Sequence, residues 1–248
     1  MSDTVGPNPE ITEEAVRILE AANEEGITLR LLGGLAIYLQ SPSATMNEQL
    51  KRPYKDLDFV TLSKYGAKTK VLFAKLGYTG NKTFNALHGH QRLLFYDEQN
   101  GRQVDIFIDR MQMCHNIDFR SRLDTDKRTL SLADLLLTKL QIVEVNEKDL
   151  LDVVALFVDH DVEDTDRGIN SAYISRLVSN DWGLYKTLDL NLNKVKAFAV
   201  ERNFPEYVIK RIDTLISNME AQTKTLAWKA RAMVGERVRW YELPEEPR

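Results

Sequence analysis

The sequence predicts an α/β (α+β) fold, a small mixed sheet with flanking helices over residues 1–128, followed by an all-helical C-terminal domain over 129–248, with a cleft between them. Three observations carry this. Short apolar segments with period-two alternation cluster in the first half of the chain. Two of them flank Asn100-Gly101, the dipeptide of a tight hairpin turn. From Leu132 onward the strand pattern gives way to apolar residues at helical spacing.

In chain order, Pro9 to Glu25 reads as a helix, because Ile11, Ala15, Ile18, Leu19 and Ala22 share one face and Gly26 can end it. Glu13 and Glu14 suit its positive end. Thr28 to Leu32 is a strand, and a brief helix, Leu35 to Leu39, follows Gly33-Gly34. Ser41 to Tyr54 is a polar loop with two prolines, Asp56 to Leu62 a strand, and Ala67 to Leu76 a helix stopped by Gly77. Gln91 to Tyr96 and Arg102 to Ile108 form the hairpin. Phe119 to Thr129 reads as an extended return with one more strand. Ser131 caps a helix over Leu132 to Val143, and Asn146 caps another over Glu147 to Asp159. The remainder reads as three helices: Ile169 to Val178, Leu184 to Glu201, and Pro205 to about Val234.

Bulk composition narrows the class. Hydrophobic residues at 43% and charged residues at 28% suit a soluble globular chain with one large core or two smaller ones. No run approaches the roughly 18 apolar residues of a membrane span. Met1 to Glu10 lacks the layout of a secretory signal. A single cysteine, Cys114, leaves no internal disulfide and fits a cytoplasmic location. The net charge of −4 gives no global attraction to nucleic acid, so any such contact is local. Residues 144 to 166 are acid-rich, whereas Lys224, Lys229, Arg231, Arg237 and Arg239 make the last helical stretch basic.

Three aspartates stand out because aspartate is a poor strand former and is costly to bury beside Val, Ile and Phe. Asp56 and Asp58 share one face of their strand, while Leu57 and Phe59 take the other. In Val104-Asp105-Ile106-Phe107-Ile108, Asp105 faces away from Val104, Ile106 and Ile108. Three carboxylates on two apolar strands read as a shared site for hard divalent cations, Mg²⁺ or Mn²⁺. Paired catalytic cations about 3.5–4 Å apart clamp the attacking and leaving oxygens in phosphoryl transfer. Gly33-Gly34, between a strand and a helix, lets phosphates approach the backbone.

Leu31-Leu32-Gly33-Gly34, Arg52-Pro53-Tyr54-Lys55-Asp56-Leu57-Asp58-Phe59-Val60 and Val104-Asp105-Ile106 together resemble the signature of the DNA polymerase β-like nucleotidyltransferase superfamily. Asp134 to Leu140 and Glu147 to Val153 are similar to stand-alone bacterial nucleotidyltransferases of the abortive-infection toxin type. The resemblance covers about residues 28 to 158. It implies NTP binding, two Mg²⁺ ions, and transfer of an NMP with release of pyrophosphate. Asp56 and Asp58 would bind both metals, and Asp105 would bind the catalytic one and act as base. Gly33, Gly34, Lys55 and Lys139 would bind the nucleotide. Gly34 stands where many members carry Ser, and the Gly34–Asp56 segment is long, which makes Ser41 to Lys55 a candidate substrate element. RNA (tRNA ends included) and protein hydroxyls rank above aminoglycoside-like small molecules as acceptors. The alternative is a non-catalytic nucleotide-binding or antitoxin-like protein that retains the fold.

The other chemistry-bearing residues read more simply. Asp109 could stand in for Asp105, and Arg52 and Lys55 could merely offset carboxylate repulsion. His88-Gly89-His90 lacks a third ligand at metal spacing. Cys114 reads as a buried thiol, and Trp182, Trp228 and Trp240 as packing residues.

Overall fold

The computed structural model describes residues 6–243, so the first half of the polar N-terminus lies outside the described residues. Glu10 caps α1 (Ile11–Glu24), which buries Ala15, Ile18, Leu19 and Ala22. β1 (Leu29–Leu32) runs into α2 (Gly33–Gln40), a helix that starts on the glycines themselves, earlier than the expected Leu35. The expected loop after it contains a short helix, α3 (Ser43–Met46). β2 (Leu57–Thr61), α4 (Gly66–Lys75), β3 (Thr79–Gly80) and α5 (Lys82–Leu87) lead to the hairpin of β4 (Arg92–Asp97) and β5 (Arg102–Ile108). Gly101 takes a positive φ of 65° in its turn, as the Asn-Gly signal requires.

The five strands are ordered β1-β2-β5-β4-β3. β1 pairs with β2 antiparallel, β2 with β5 parallel, and β4 with β5 antiparallel. The sheet is therefore mixed. Leu57, Phe59, Val104 and Ile106 meet on one face of the β2–β5 pair. Phe73 of α4 covers that face, 6.2 Å from the Phe59 ring and 4.9 Å from the Phe95 ring. The opposite face is left for the aspartates.

The expected extra strand over Phe119 to Thr129 reduces to one parallel bridge, Thr129 to Leu31. Leu31 N–H donates to Arg128 O at 2.8 Å, and Leu130 N–H to Leu31 O at 3.0 Å, so this segment covers the free edge of β1. A two-stranded ribbon precedes it, β6 (Arg110–Gln112) with β7 (Asn116–Asp118).

Ser131 caps α6 (Leu132–Leu140), which ends three residues before Val143. Asn146 forms a capping box on α7 (Glu147–Asp159). β8 (Val162–Glu163) and β9 (Ile169–Asn170) pair in parallel, so α8 (Ser171–Val178) begins two residues after the expected Ile169. Asp181 caps α9 (Trp182–Glu201). The long helix expected from Pro205 is two, α10 (Glu206–Ala221) and α11 (Leu226–Val234), broken where Gln222 turns extended and Thr225 caps anew. One apolar cluster runs from the sheet through α2 and α6 into α7 to α10, while α11 buries none of its residues. No helix among the described residues is long and apolar enough to cross a membrane.

Candidate functional site

Register brings the key residues together. The parallel pairing places Asp58 directly beside Asp105. The antiparallel pairing places Leu32, the residue before the glycine turn, beside Asp58. Gly33 has a positive φ of 73°, and a Cβ there would collide with the Asp58 carboxylate. The glycine is thus needed twice, for its backbone angle and for the room Asp58 takes. Asp56 lies one residue before β2, exposed, on the same side as Asp58.

Like charges at this spacing repel. The Asp58 carboxyl is pushed up to about 7, first by burial and then by the charges of Asp105 and Asp56, against the pull of Lys139 and Arg92. Asp56 is raised as well, by desolvation and then by Asp105, with Lys148 and Lys55 working the other way. Among the described residues no three His, Cys, Asp or Glu stand together as a ready-made metal cluster. Asp105 is drawn aside: its Oδ1 accepts from Arg92 Nε and its Oδ2 from Gln103 Nε2, each at 2.7 Å. In kind, the donors fit Mg²⁺ or Mn²⁺, being all carboxylate oxygens whose mutual repulsion a hard cation would relieve.

The nucleotide-binding candidates divide. Lys139 on α6 is half-buried and contacts Asp149 and Asp152 of α7, each at 2.9 Å. Burial works against its charge, but Asp152 and Asp149 more than offset this, and it stays a cation beside Asp58. Lys55 is exposed next to Asp56. Gly34 serves a side chain: a Cβ there would collide with Nη2 of Arg52. Arg52 grips Asp152 with two bonds, Nε to Oδ1 at 2.8 Å and Nη2 to Oδ2 at 2.7 Å, and lies 4.0 Å above the Tyr54 ring.

Arg92, Gln103 and Asp152 are therefore site residues that strand and helix periodicity does not single out. Asp152 carried a signal, since Asp149-x-x-Asp152 puts two acids on one helical face. Asp109, the other carboxylate of this stretch, sits at a positive φ of 63° and accepts from Ser63 N–H at 2.8 Å. A pocket of about 420 Å³ opens beside Arg52, lined also by Tyr38, Ala44, Thr45, Lys51 and Pro53.

Elsewhere, His88 ends α5, and Cys114 is buried. Trp182 packs edge-on to Trp240 and Trp228 to Tyr185, at 6.0 and 5.4 Å. The basic stretch is partly structural. Lys224 Nζ binds the carbonyls of Met219 and Gln222 at the end of α10, and Arg231 binds those of Gly235 and Val238.

No protein-family model matches the chain, and no curated protein does. Among solved structures, the chain is similar to the antibiotic-resistance factor ANT(2'')-Ia, at 14% identity and a TM-score of 0.40, covering 68% of this chain and 96% of that one. It is also similar to JHP933 from Helicobacter pylori, at 12% identity and a TM-score of 0.35, covering 90% and 96%.

Proposed function

We propose that the chain is a metal-dependent nucleotidyltransferase that moves an NMP from an NTP to an acceptor hydroxyl. One observation carries this: Asp58 and Asp105 are neighbours across parallel strands, with Asp56 beside them and the Gly33 turn against the Asp58 carboxylate. In this reading residues 1–128 supply the carboxylates and the turn, and the helical part, 129–248, brings Lys139. Asp56, Asp58 and Asp105 would hold Mg²⁺ or Mn²⁺, which supplies charge neutralisation at the attacking and leaving oxygens.

The chain's own groups do the rest. Asp105 accepts the proton of the acceptor hydroxyl, whose oxygen bonds to the α-phosphorus as the bond to the pyrophosphate oxygen breaks. Arg92 and Gln103 hold the Asp105 carboxylate in one orientation for that transfer. Gly33 lets the triphosphate reach the start of α2. Lys139 places positive charge near Asp58 and Lys55 places it near Asp56, and Asp149 and Asp152 keep Lys139 in place. The pocket on the Ser41–Lys55 segment is the seat we assign to the acceptor, with RNA and protein hydroxyls ranked above aminoglycoside-like molecules.

The test incubates wild type, D58N and D105N with each labelled NTP, Mg²⁺ or Mn²⁺, and a cellular extract. Wild type should transfer label only with metal, and each variant should lose roughly 10²–10³-fold in rate. A second reading, nucleotide binding without transfer, is favoured by the hold of Arg92 and Gln103 on both Asp105 oxygens. Bound NTP with no metal-dependent label on RNA, protein or small molecules would establish that reading instead.

A further inference from the structure

Asp105 has a cation beside it already. On β5 it shares a face with Gln103 and Phe107, and Arg92 of β4 lies opposite Phe107. A long side chain reaches diagonally across an antiparallel pair. Arg92 does so: its guanidinium carbon stands 5.1 Å from the Phe107 ring centre while its Nε binds Asp105. The ion pair is largely out of water, with 5% of the Asp105 side chain and 20% of the Arg92 side chain exposed, so its field is weakly screened. A carboxylate offers about four lone pairs, so one donor on each oxygen leaves capacity for a further ligand. Arg92 therefore does not block the site. It charges it.

We infer that Arg92 makes this site take a divalent cation together with a nucleotide in preference to the bare ion, an inference that rests on the nucleotidyltransferase reading above. A fixed positive charge next to the carboxylates opposes a free divalent ion. The same charge attracts a metal–NTP complex, whose net charge is about −2, so the two loading states shift in opposite directions. Arg92 is a positioning residue for Asp105 and a discriminator between them. A residue that only packed against Phe107 would have no such sign.

The test measures Mn²⁺ binding by electron paramagnetic resonance, alone and with the α,β-methylene analogues of the four NTPs, on wild type, R92Q, R92M and R92K. R92Q should bind free Mn²⁺ on the order of tenfold more tightly and the Mn²⁺–analogue complex more weakly by a similar factor. R92K keeps the charge but loses the Nε contact and the stacking on Phe107, so both affinities should shift clearly less than in R92Q. R92M, which removes the charge but keeps an unbranched stem against Phe107, should shift them as R92Q does and carries the test if R92Q does not fold. The inference is overturned if R92Q binds free Mn²⁺ no more tightly, if both affinities move the same way, or if R92K departs from wild type as R92Q does. D58N isolates the parent reading. If wild type binds no Mn²⁺, or D58N leaves binding intact, the nucleotidyltransferase reading falls and takes this one with it. If D58N abolishes binding while R92Q changes nothing, only the role of Arg92 is lost.

Discussion

Gly34 shows how one residue serves a constraint that its place in a motif does not reveal. Its missing side chain gives room to the Arg52 guanidinium, and Asp152 Oδ2 would stand only 3.2 Å from an added Cβ. Asp152 is 2% exposed, and removing one partner of a buried pair costs about 3–5 kcal/mol. G34A should cost less, because Lys139 remains on Asp152 and alanine is the better helix former by about 1 kcal/mol. We expect a loss of about 1–2 kcal/mol in urea unfolding, and no loss, or a gain of up to about 1 kcal/mol, when R52M is already present. An equal cost in both backgrounds would mean that Arg52 is not what the glycine accommodates. The carboxylates themselves were legible, since alternation alone put Asp56, Asp58 and Asp105 off the apolar faces. Arg92, Gln103 and Arg52 were not. Their roles depend on which residue lies across a strand pair or across 100 residues of chain, as Arg52 and Asp152 do, and periodicity holds no such information.

Among the elements, the segment after α11 folds back as a strap over the start of α9. Glu242 N–H donates to Cys114 O and Trp240 Nε1 to Thr187 Oγ1, both at 3.0 Å. Indole only donates, so Trp240 fills one lone pair of the Thr187 hydroxyl, whose oxygen also lies 2.8 Å from His115 Nε2. Burial holds the His115 pKa below its ordinary 6.5, although the charges of Asp181 and Glu242 pull the other way. Below about pH 6.5 the unfolded chain binds a proton that the folded chain refuses. Stability contributed by this site is therefore present above that pH and lost as the pH falls, by at most about 1.4 kcal/mol per unit. Between pH 7.5 and 5.5 the wild-type melting temperature should drop a few degrees further than that of H115Q. Equal drops would remove His115 as the cause. The long periodic elements, α1, α7 and α9, were readable, and so was the hairpin, because each repeats its signal over several turns or names its turn residue. β3, β8 and β9 have two residues each, too few for a period to show. The break between α10 and α11 had one cue, Thr225 as a cap, inside an otherwise continuous helical pattern.

At the scale of the whole molecule, acceptor choice turns on which charges remain after folding, since a net charge of −4 attracts no polyanion as such. The acid-rich stretch is largely used to tie elements together: Asp149 and Asp152 hold Lys139, Asp159 binds Ser43, Asp161 holds Arg211, and Asp166 holds Arg122. That weakens the case for an amine-bearing antibiotic, which would need those carboxylates free. The basic stretch is thinned in the same way, with Lys224 and Arg231 bound to carbonyls. Lys229, Arg237 and Arg239 remain exposed on or just after α11. If an RNA acceptor lies along this face, these three side chains neutralise its phosphates, and each contact adds about 0.7 to the salt slope for a single strand. The triple variant K229E/R237E/R239E should weaken RNA labelling severalfold at low salt and lower the slope of log rate against log salt by about 2. It leaves Arg231 in place, because reversing that residue would release Val238 and confound the result with a loosened strap. Labelling of a protein hydroxyl or a small molecule should stay unchanged. If RNA labelling and its salt slope are both unaffected, the face is only solvated, and RNA loses its place ahead of the other acceptors.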